Sequence, residues 1–496
     1  VATVASLRTR AALVTAPRAR AALDTRSLIT WLIAGYFLYL PLANVPPMKV
    51  IRNGILKIPI PNAAGFEYGL HPWILLFPDF VFAVALLGVV SLTQGGETRR
   101  HWMRGALLGL LVAFVVGGVI ASVGSESPGV SLTALIARVA VLLVAWVIVA
   151  RGVTEAALRL WVYALLFGLA VILANGILVY LQIFGWPENL ADLPVRRSTL
   201  EWERFGLVTW GHAANTSGVL LLTMPVAIIM FWSRRGAALR ERIFLGVVIA
   251  LMAVVLLVAF QRWAVVCVLF AIFGMLVRWR GSGRSVWLML LAAAIYLVVG
   301  RTVVQTLGGY FVEAATGSDE ASLGPRVGVW VEGLRFIVEH PAGVGFEQAY
   351  RLGFGGLQSS HNMVLDAALE GGLLVGIATV VWLAVIVGSL VRGALVRGSM
   401  TDMQFGMLLG AATYSVFGIF FNGQMYMAGM VIWFGLWILL PTAAYALERE
   451  PSGDPSDTSH VDSRHLPARA RRLERGVQRS QVADGARRGQ DHPAVR

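Results

Sequence analysis

The chain has 496 residues, 57% of them hydrophobic and only 14% charged, with a mean hydropathy of +0.71. Soluble globular proteins carry about one quarter charged residues, so most of this chain is kept from water and an ordinary soluble domain is excluded. The net charge of +13 invites a nucleic-acid reading. The basic residues, however, gather between apolar runs and at the two termini, and no nucleic-acid module is recognisable. No nucleic acid is therefore expected as a partner, and the charge reads as membrane topology.

In chain order, apolar runs long enough to cross a bilayer fall at 28–46, 71–92, 104–123, 130–150, 157–184, 212–232, 243–260, 263–279, 285–307, 362–391, 402–421 and 425–446. The expected fold is all-α, a multi-pass transmembrane helical bundle of about twelve spans. The 53 glycines suit it, because small side chains let helices approach closely in lipid. The single cysteine, Cys267, falls inside a span and reads as a buried thiol. Residues 1–27 form a basic segment with Arg8, Arg10, Arg18, Arg20 and Arg26, and no small-residue cleavage site follows the apolar core. The first helix therefore reads as retained rather than as a signal peptide.

Arginines orient the spans. Arg99, Arg100 and Arg104, Arg151 and Arg159, Arg234, Arg235, Arg240 and Arg242, Arg278, Arg280 and Arg284, and Arg392 and Arg397 fall in alternate connections, whereas 122–129 and 421–424 carry no Lys or Arg. Positive connections stay in the cytoplasm. The alternation puts both termini in the cytoplasm, with the chain in the inner (cytoplasmic) membrane. A transmembrane domain over 28–446 and a polar, arginine-rich cytoplasmic tail over 447–496, expected to be disordered, complete the layout.

Three outer segments, 47–70, 185–211 and 308–361, exceed the length of a mere connector, and such loops carry function. Within the large extracytoplasmic loop 308–361, Val327, Trp330, Val331, Leu334, Ile337 and Val338 recur at helical spacing after Pro325, and His340-Pro341 ends the run. This is an amphipathic helix, expected at the outer membrane surface.

Chemistry concentrates at four outer places. Gln261-Arg262 stands at a tight hairpin between two short spans; alone, Arg262 reads as a side chain snorkelling to lipid phosphate. Arg204-Phe205-Gly206 precedes His212 and Asn215, which lead into a span. Arg326 adds a full charge to the start of the amphipathic helix, where free N–H groups and the dipole already favour anions. His361-Asn362 opens the tenth span, followed by Asp366 and Glu370 on one helical face. These two carboxylates must turn into the bundle, and pairing with basic groups is their expected role, while Asp79, Arg138 and Arg301 read as internal pairing or interface groups. Arg204, Arg262, Arg326 and His361 share one side of the membrane, and arginine forks there suit a lipid-borne pyrophosphate.

The order Arg326…Trp330…His340-Pro341-Ala342-Gly343-Val344-Gly345…His361-Asn362…Glu370-Gly371-Gly372 resembles the O-antigen ligase/polymerase family, with its arginine, tryptophan, P-x-G-x-G turn, H-N pair and E-x-G. Arg204-Phe205-Gly206…Asn215 and Gln261-Arg262 are similar to the family's R-x-x-G…N and S-R segments, with Gln261 where serine is usual. The resemblance implies a fold similar to class C glycosyltransferases. It implies a glycosyltransferase that moves a glycan from undecaprenyl diphosphate to a glycan or glycolipid acceptor at the extracytoplasmic face, with membrane lipids as surroundings. It further implies no metal or other cofactor. Arg262 and His361 would be catalytic, and Arg204, Arg326, Asn215 and Asn362 substrate-binding, with His361 either the general base or a further phosphate ligand and Asn362 orienting it or capping the helix. A repeat-unit polymerase is the alternative within the class. A transporter of a lipid-linked glycan or small anion is the alternative outside it, although no internal repeat is evident.

Overall fold

A backbone in lipid must satisfy its own hydrogen bonds, which long Leu/Val/Ala runs do by forming helices. The computed structural model describes residues 27–42, 82–84, 86–87, 102–180, 213–233, 239–259, 262–280, 285, 287, 289–290, 324–349, 360, 362–396, 399–420 and 431–447. Its helices are α1 (Ser27–Leu42), α2 (Trp102–Val123), α3 (Pro128–Arg151), α4 (Glu155–Tyr180), α5 (Ala213–Ser233), α6 (Leu239–Ala259), α7 (Arg262–Arg278), α8 (Gly324–Glu339), α9 (Met363–Leu395), α10 (Asp402–Phe420) and α11 (Val431–Ala446). Among the described residues there is no strand; a lone bridge joins Val153 to Leu447. Among the described residues, six helices are long and apolar enough to cross a membrane. The expected spans 71–92 and 285–307 lie largely outside the described residues, as do the segments 47–70, 185–211 and 447–496.

Leu108, Val112, Val115 and Val119 on α2 are exposed, and so are Leu373, Ile377, Val380, Val381 and Val387 on α9. Apolar surface of that extent is unstable in water. The chain is an all-α, multi-pass membrane protein.

Small residues set the closest helix contact. On α10, Gly406, Gly410 and Tyr414 face Val226, Leu222 and Gly218 of α5, so the two helices run antiparallel in four-residue steps. A Cβ on Gly410 would lie 2.1 Å from the Leu222 carbonyl oxygen. Glycine at four-residue spacing thus brings the two backbones together. Helix α7 is antiparallel to α10 as well, because Gly274 meets Leu409 while Arg278 meets Asp402. Gly418, near the end of α10, meets Met363 at the start of α9. The starts of α5, α7 and α9 therefore gather at one end of the bundle.

At the other end, Arg278 closes three elements. Its Nη1 donates to the Gly393 carbonyl at 2.8 Å and Nη2 to the Met400 carbonyl at 2.7 Å. It pairs with Asp402 at 3.3 Å, and Asp402 also accepts from Ser233 at 3.2 Å. Gly393 lies in the last turn of α9, where carbonyls lack helical donors, so the guanidinium caps that helix. This is the basic end, the one the arginine pattern assigns to the cytoplasm.

One expected span proves to be broken. Helix α9 has 33 residues, about 50 Å at helical rise and too long for one crossing, and Gly372 interrupts it at φ 80, ψ 175. The part from Leu373 onward, about 34 Å long, matches the bilayer and carries the exposed apolar belt. Residues 363–372 are instead buried, except for the partly exposed Val364. The sequence showed the Gly371-Gly372 doublet but not that a turn from another segment occupies the break.

Helix α8 forms where the spacing predicts, yet its apolar face divides. Val329 and Ile337 pack with Leu365, Ala368 and Leu369 of α9, while Val331, Leu334 and Val338 stay exposed. Gly333 decides which way α8 faces: a Cβ there would lie 3.0 Å from Leu365, so α9 seats against the glycine rather than against the bulkier residues.

Candidate functional site

The turn after α8 builds the site's frame by clamping the break in α9. Val344 N–H donates to the Leu369 carbonyl at 2.8 Å and Gly345 N–H to the Glu370 carbonyl at 2.9 Å. Leu373 N–H returns a bond to the Pro341 carbonyl at 2.9 Å. Two glycines make the approach possible. Gly343 (φ 79) and Gly372 (φ 80) both sit in left-handed backbone, and a Cβ on Gly343 would fall 2.4 Å from the Gly372 nitrogen. The P-x-G-x-G and E-x-G patterns are thus two halves of one latch. Gly345 rests on Ser125 and Ser131, and Gly117 lies against the Gly371 carbonyl, so the latch also seats on the α2–α3 hairpin. The end of the bundle holding this hairpin is the latch end.

Beneath the latch lies a buried charged group. Arg138 of α3 is 3% exposed, stacks 4.8 Å from the Phe346 ring centroid and donates to the Ala134 carbonyl at 2.7 Å. It acts electrostatically on both Glu347 and Glu370. The Glu347 backbone N–H donates to the Glu370 carboxylate. Glu347 itself is held at φ 66, a conformation costing a non-glycine residue about 1 kcal/mol. Burial raises its carboxyl from 4.5 to about 7 against the opposing pull of Arg138. Among the described residues, both side-chain polar atoms of Gln348 and the Glu370 Oε2 are buried without a hydrogen-bond partner. A folded protein leaves few such groups unsatisfied, and those that remain call for an explanation.

Both carboxylates of α9 turn inward, each 4% exposed. Glu370 faces Arg138, as internal pairing anticipates. Asp366 differs: among the described residues it accepts from the backbone N–H and the hydroxyl of Ser360 rather than pairing with a base. Asn362 is the N-cap of α9, its side chain accepting from Val364 N–H at 3.0 Å and Leu365 N–H at 3.1 Å. Of the two roles open to Asn362, capping is the one its oxygen performs.

Arg204 and His361 lie outside the described residues. Asn215, Arg262 and Arg326 are described as backbone, in the first turns of α5, α7 and α8, and their side chains lie outside the description. The starts of α5, α7 and α9 fall at the latch end, and α8 packs on the head of α9. Sequence reasoning missed Ser360 and Gln348, for which no pattern stood out, and undervalued Arg138, whose signal was one arginine inside an apolar run. Gly343 and Gly372 were visible as motif letters without their mutual contact. Among the described residues, no group of three or more His, Cys, Asp or Glu is arranged to hold a metal ion.

Fold and site together define a helical membrane protein with a glycine-latched polar centre at one end of its bundle. A family model described as O-Antigen ligase matches residues 245–381, from α6 through Arg262, Arg326, the latch and His361-Asn362 to the middle of α9. Over this segment the chain is similar to the O-antigen ligase family, which points to ligase- or polymerase-type function. No curated protein matches the chain.

Proposed function

We propose that the protein is an O-antigen ligase-like glycosyltransferase that moves a glycan from undecaprenyl diphosphate to a sugar or envelope acceptor at the extracytoplasmic face. The observation carrying this reading is the gathering of the starts of α5, α7 and α9, with α8 against α9, at the latch end. These are the elements that bear Asn215, Arg262, Asn362 and Arg326. In the reaction the bond between the sugar's anomeric carbon and the phosphate oxygen breaks, and the acceptor oxygen bonds to that carbon. The departing electron pair stays on undecaprenyl diphosphate, where Arg204, Arg262 and Arg326 stabilise the growing charge. His361 takes the proton of the acceptor hydroxyl, while Asn215 and Asn362 line the substrate.

The test incubates purified protein with defined lipid-diphosphate glycans and candidate acceptors. Release of undecaprenyl diphosphate with one glycan capped onto the acceptor is the expected result. Release with repeat-unit elongation assigns the polymerase reaction instead, and translocation without bond cleavage overturns the enzymatic reading in favour of a transporter. Arg262→Ala and His361→Ala should each lower the rate by about 10²–10³-fold in folded protein. Arg262→Lys should stay impaired because lysine lacks the fork; near-normal turnover in either alanine variant removes that residue from the chemistry.

A further inference from the structure

We infer that Asp366 and Ser360 are positioning residues for transfer, fixing residues 360 and 362, which flank His361 in the sequence, at the head of α9. The inference rests on the reading of this segment as the transfer site. Ser360 is 1% exposed and contacts both α8 and α9. Its carbonyl accepts from Trp330 Nε1 at 2.8 Å, tying it to α8. Its hydroxyl donates to Asp366 Oδ1 at 2.5 Å, and its backbone N–H reaches the same oxygen at 3.2 Å. The serine oxygen in turn accepts from Asn362 N–H at 3.2 Å. On the far side, Asn362 caps the helix through its side chain, and its carbonyl accepts from Asp366 N–H at 2.8 Å. The residues before and after position 361 in the sequence are thereby fixed, by one carboxylate and two helices.

The cap alone would suffice to start a helix. Burying a carboxylate as well is costly, even where a helix N-terminus favours negative charge. An apolar residue at 366 would continue α9 at lower cost, but it would take the acceptor from the Ser360 N–H and leave the Ser360 hydroxyl only the Asn362 carbonyl at 3.1 Å. What the carboxylate adds is a fixed position for residue 360 relative to residue 362. Tryptophan at 330 extends that restraint to the helix that carries Arg326. A displacement of about 1 Å in such a frame can lower turnover on the order of 10²-fold.

The experiment measures kcat and donor KM for lipid-reconstituted full-length protein, with thermal unfolding as a control. Asp366→Ala and Ser360→Ala should lower kcat about 10²-fold and leave donor KM within about threefold. Asp366→Asn keeps an acceptor oxygen and Ser360→Thr keeps the hydroxyl, so each should regain at least about tenfold of that loss. Turnover at the wild-type level in the alanine variants overturns the inference, as does equal loss in the conservative ones. His361→Ala run in parallel separates the two readings. If it is active, the transfer-site reading falls; if it is inactive beside fully active Asp366→Ala and Ser360→Ala, the positioning role alone falls. Should Asp366→Ala fail to fold, Ser360→Ala, which removes a single hydroxyl, decides by the same readout.

Discussion

The two ends of the bundle handle buried charge in opposite ways. At the basic end, Arg278 meets two carbonyls and Asp402, and Asp402 also accepts from Ser233. That end is closed and reads as structure. At the latch end, Glu347 and Glu370 lie close to Arg138, and the Gln348 amide and one Glu370 oxygen have no partner among the described residues. Each such atom costs about 1–3 kcal/mol, and proteins keep that kind of cost at sites that act. The contrast separates an arginine that holds helices together from one that lies against carboxylates and unpartnered polar atoms.

The latch glycines offer the strongest way to break this comparison. A methyl at Gly372 would lie 2.6 Å from the Ala342 carbonyl oxygen and meet a backbone at φ 80. Gly372→Ala should therefore cost at least about 1–3 kcal/mol and lower transfer about 10²-fold as the frame shifts. Gly388, further along α9, has nothing within 4 Å of its would-be Cβ. Gly388→Ala should leave transfer unchanged and stabilise by up to about 1 kcal/mol. Thermal unfolding and turnover of the two variants side by side check this; equal behaviour would mean that the latch is not a rigid frame.

Exchanging the two arginines for methionine sharpens the contrast next. Arg138→Met leaves two carboxylates buried without their guanidinium and should cost about 3–5 kcal/mol. Arg278, whose side chain is 12% exposed, should cost about 1.5–3 kcal/mol. The functional outcomes should part further. Arg278→Met protein that remains folded should transfer at the wild-type rate, and Arg138→Met protein should not. Adding Glu370→Gln to Arg138→Met should recover stability but not turnover, as a double-mutant cycle would reveal. Recovery of both would assign Arg138 a purely structural role.

These contrasts also mark how far the sequence could be read. Helix positions were legible because each span is a long run whose backbone can be satisfied in lipid in one way; α2, α3, α5 and α10 fall within a few residues of the predicted runs. The inward turn of Asp366 and Glu370 was legible from the cost of a charge in lipid. The break in α9 was not, because Gly371-Gly372 inside an apolar run looks like ordinary helix packing. Its conformation depends on Gly343, nearly thirty residues upstream. Ser360 was invisible for a similar reason: its importance lies in three partners, Trp330, Asn362 and Asp366, that only the folded chain brings together.

The mildest probe is pH, acting on Glu347. Its carboxyl is raised from 4.5 to about 7 by burial, with Arg138 pulling the other way. In that interval the folded chain keeps a proton that the unfolded chain has already released. The folded state binds more protons, so stability falls as pH rises. This contribution is complete below about 4.5 and lost once pH passes about 7. A half-buried group should move unfolding by about 1–3 kcal/mol across the interval. Thermal unfolding of wild type at pH 5 and pH 7.5 should show the decline, and Glu347→Gln, which cannot ionise, should flatten it. An unchanged slope in Glu347→Gln would mean that the carboxylate at φ 66 is solvated, and the latch end would then be as settled electrostatically as the end that Arg278 closes.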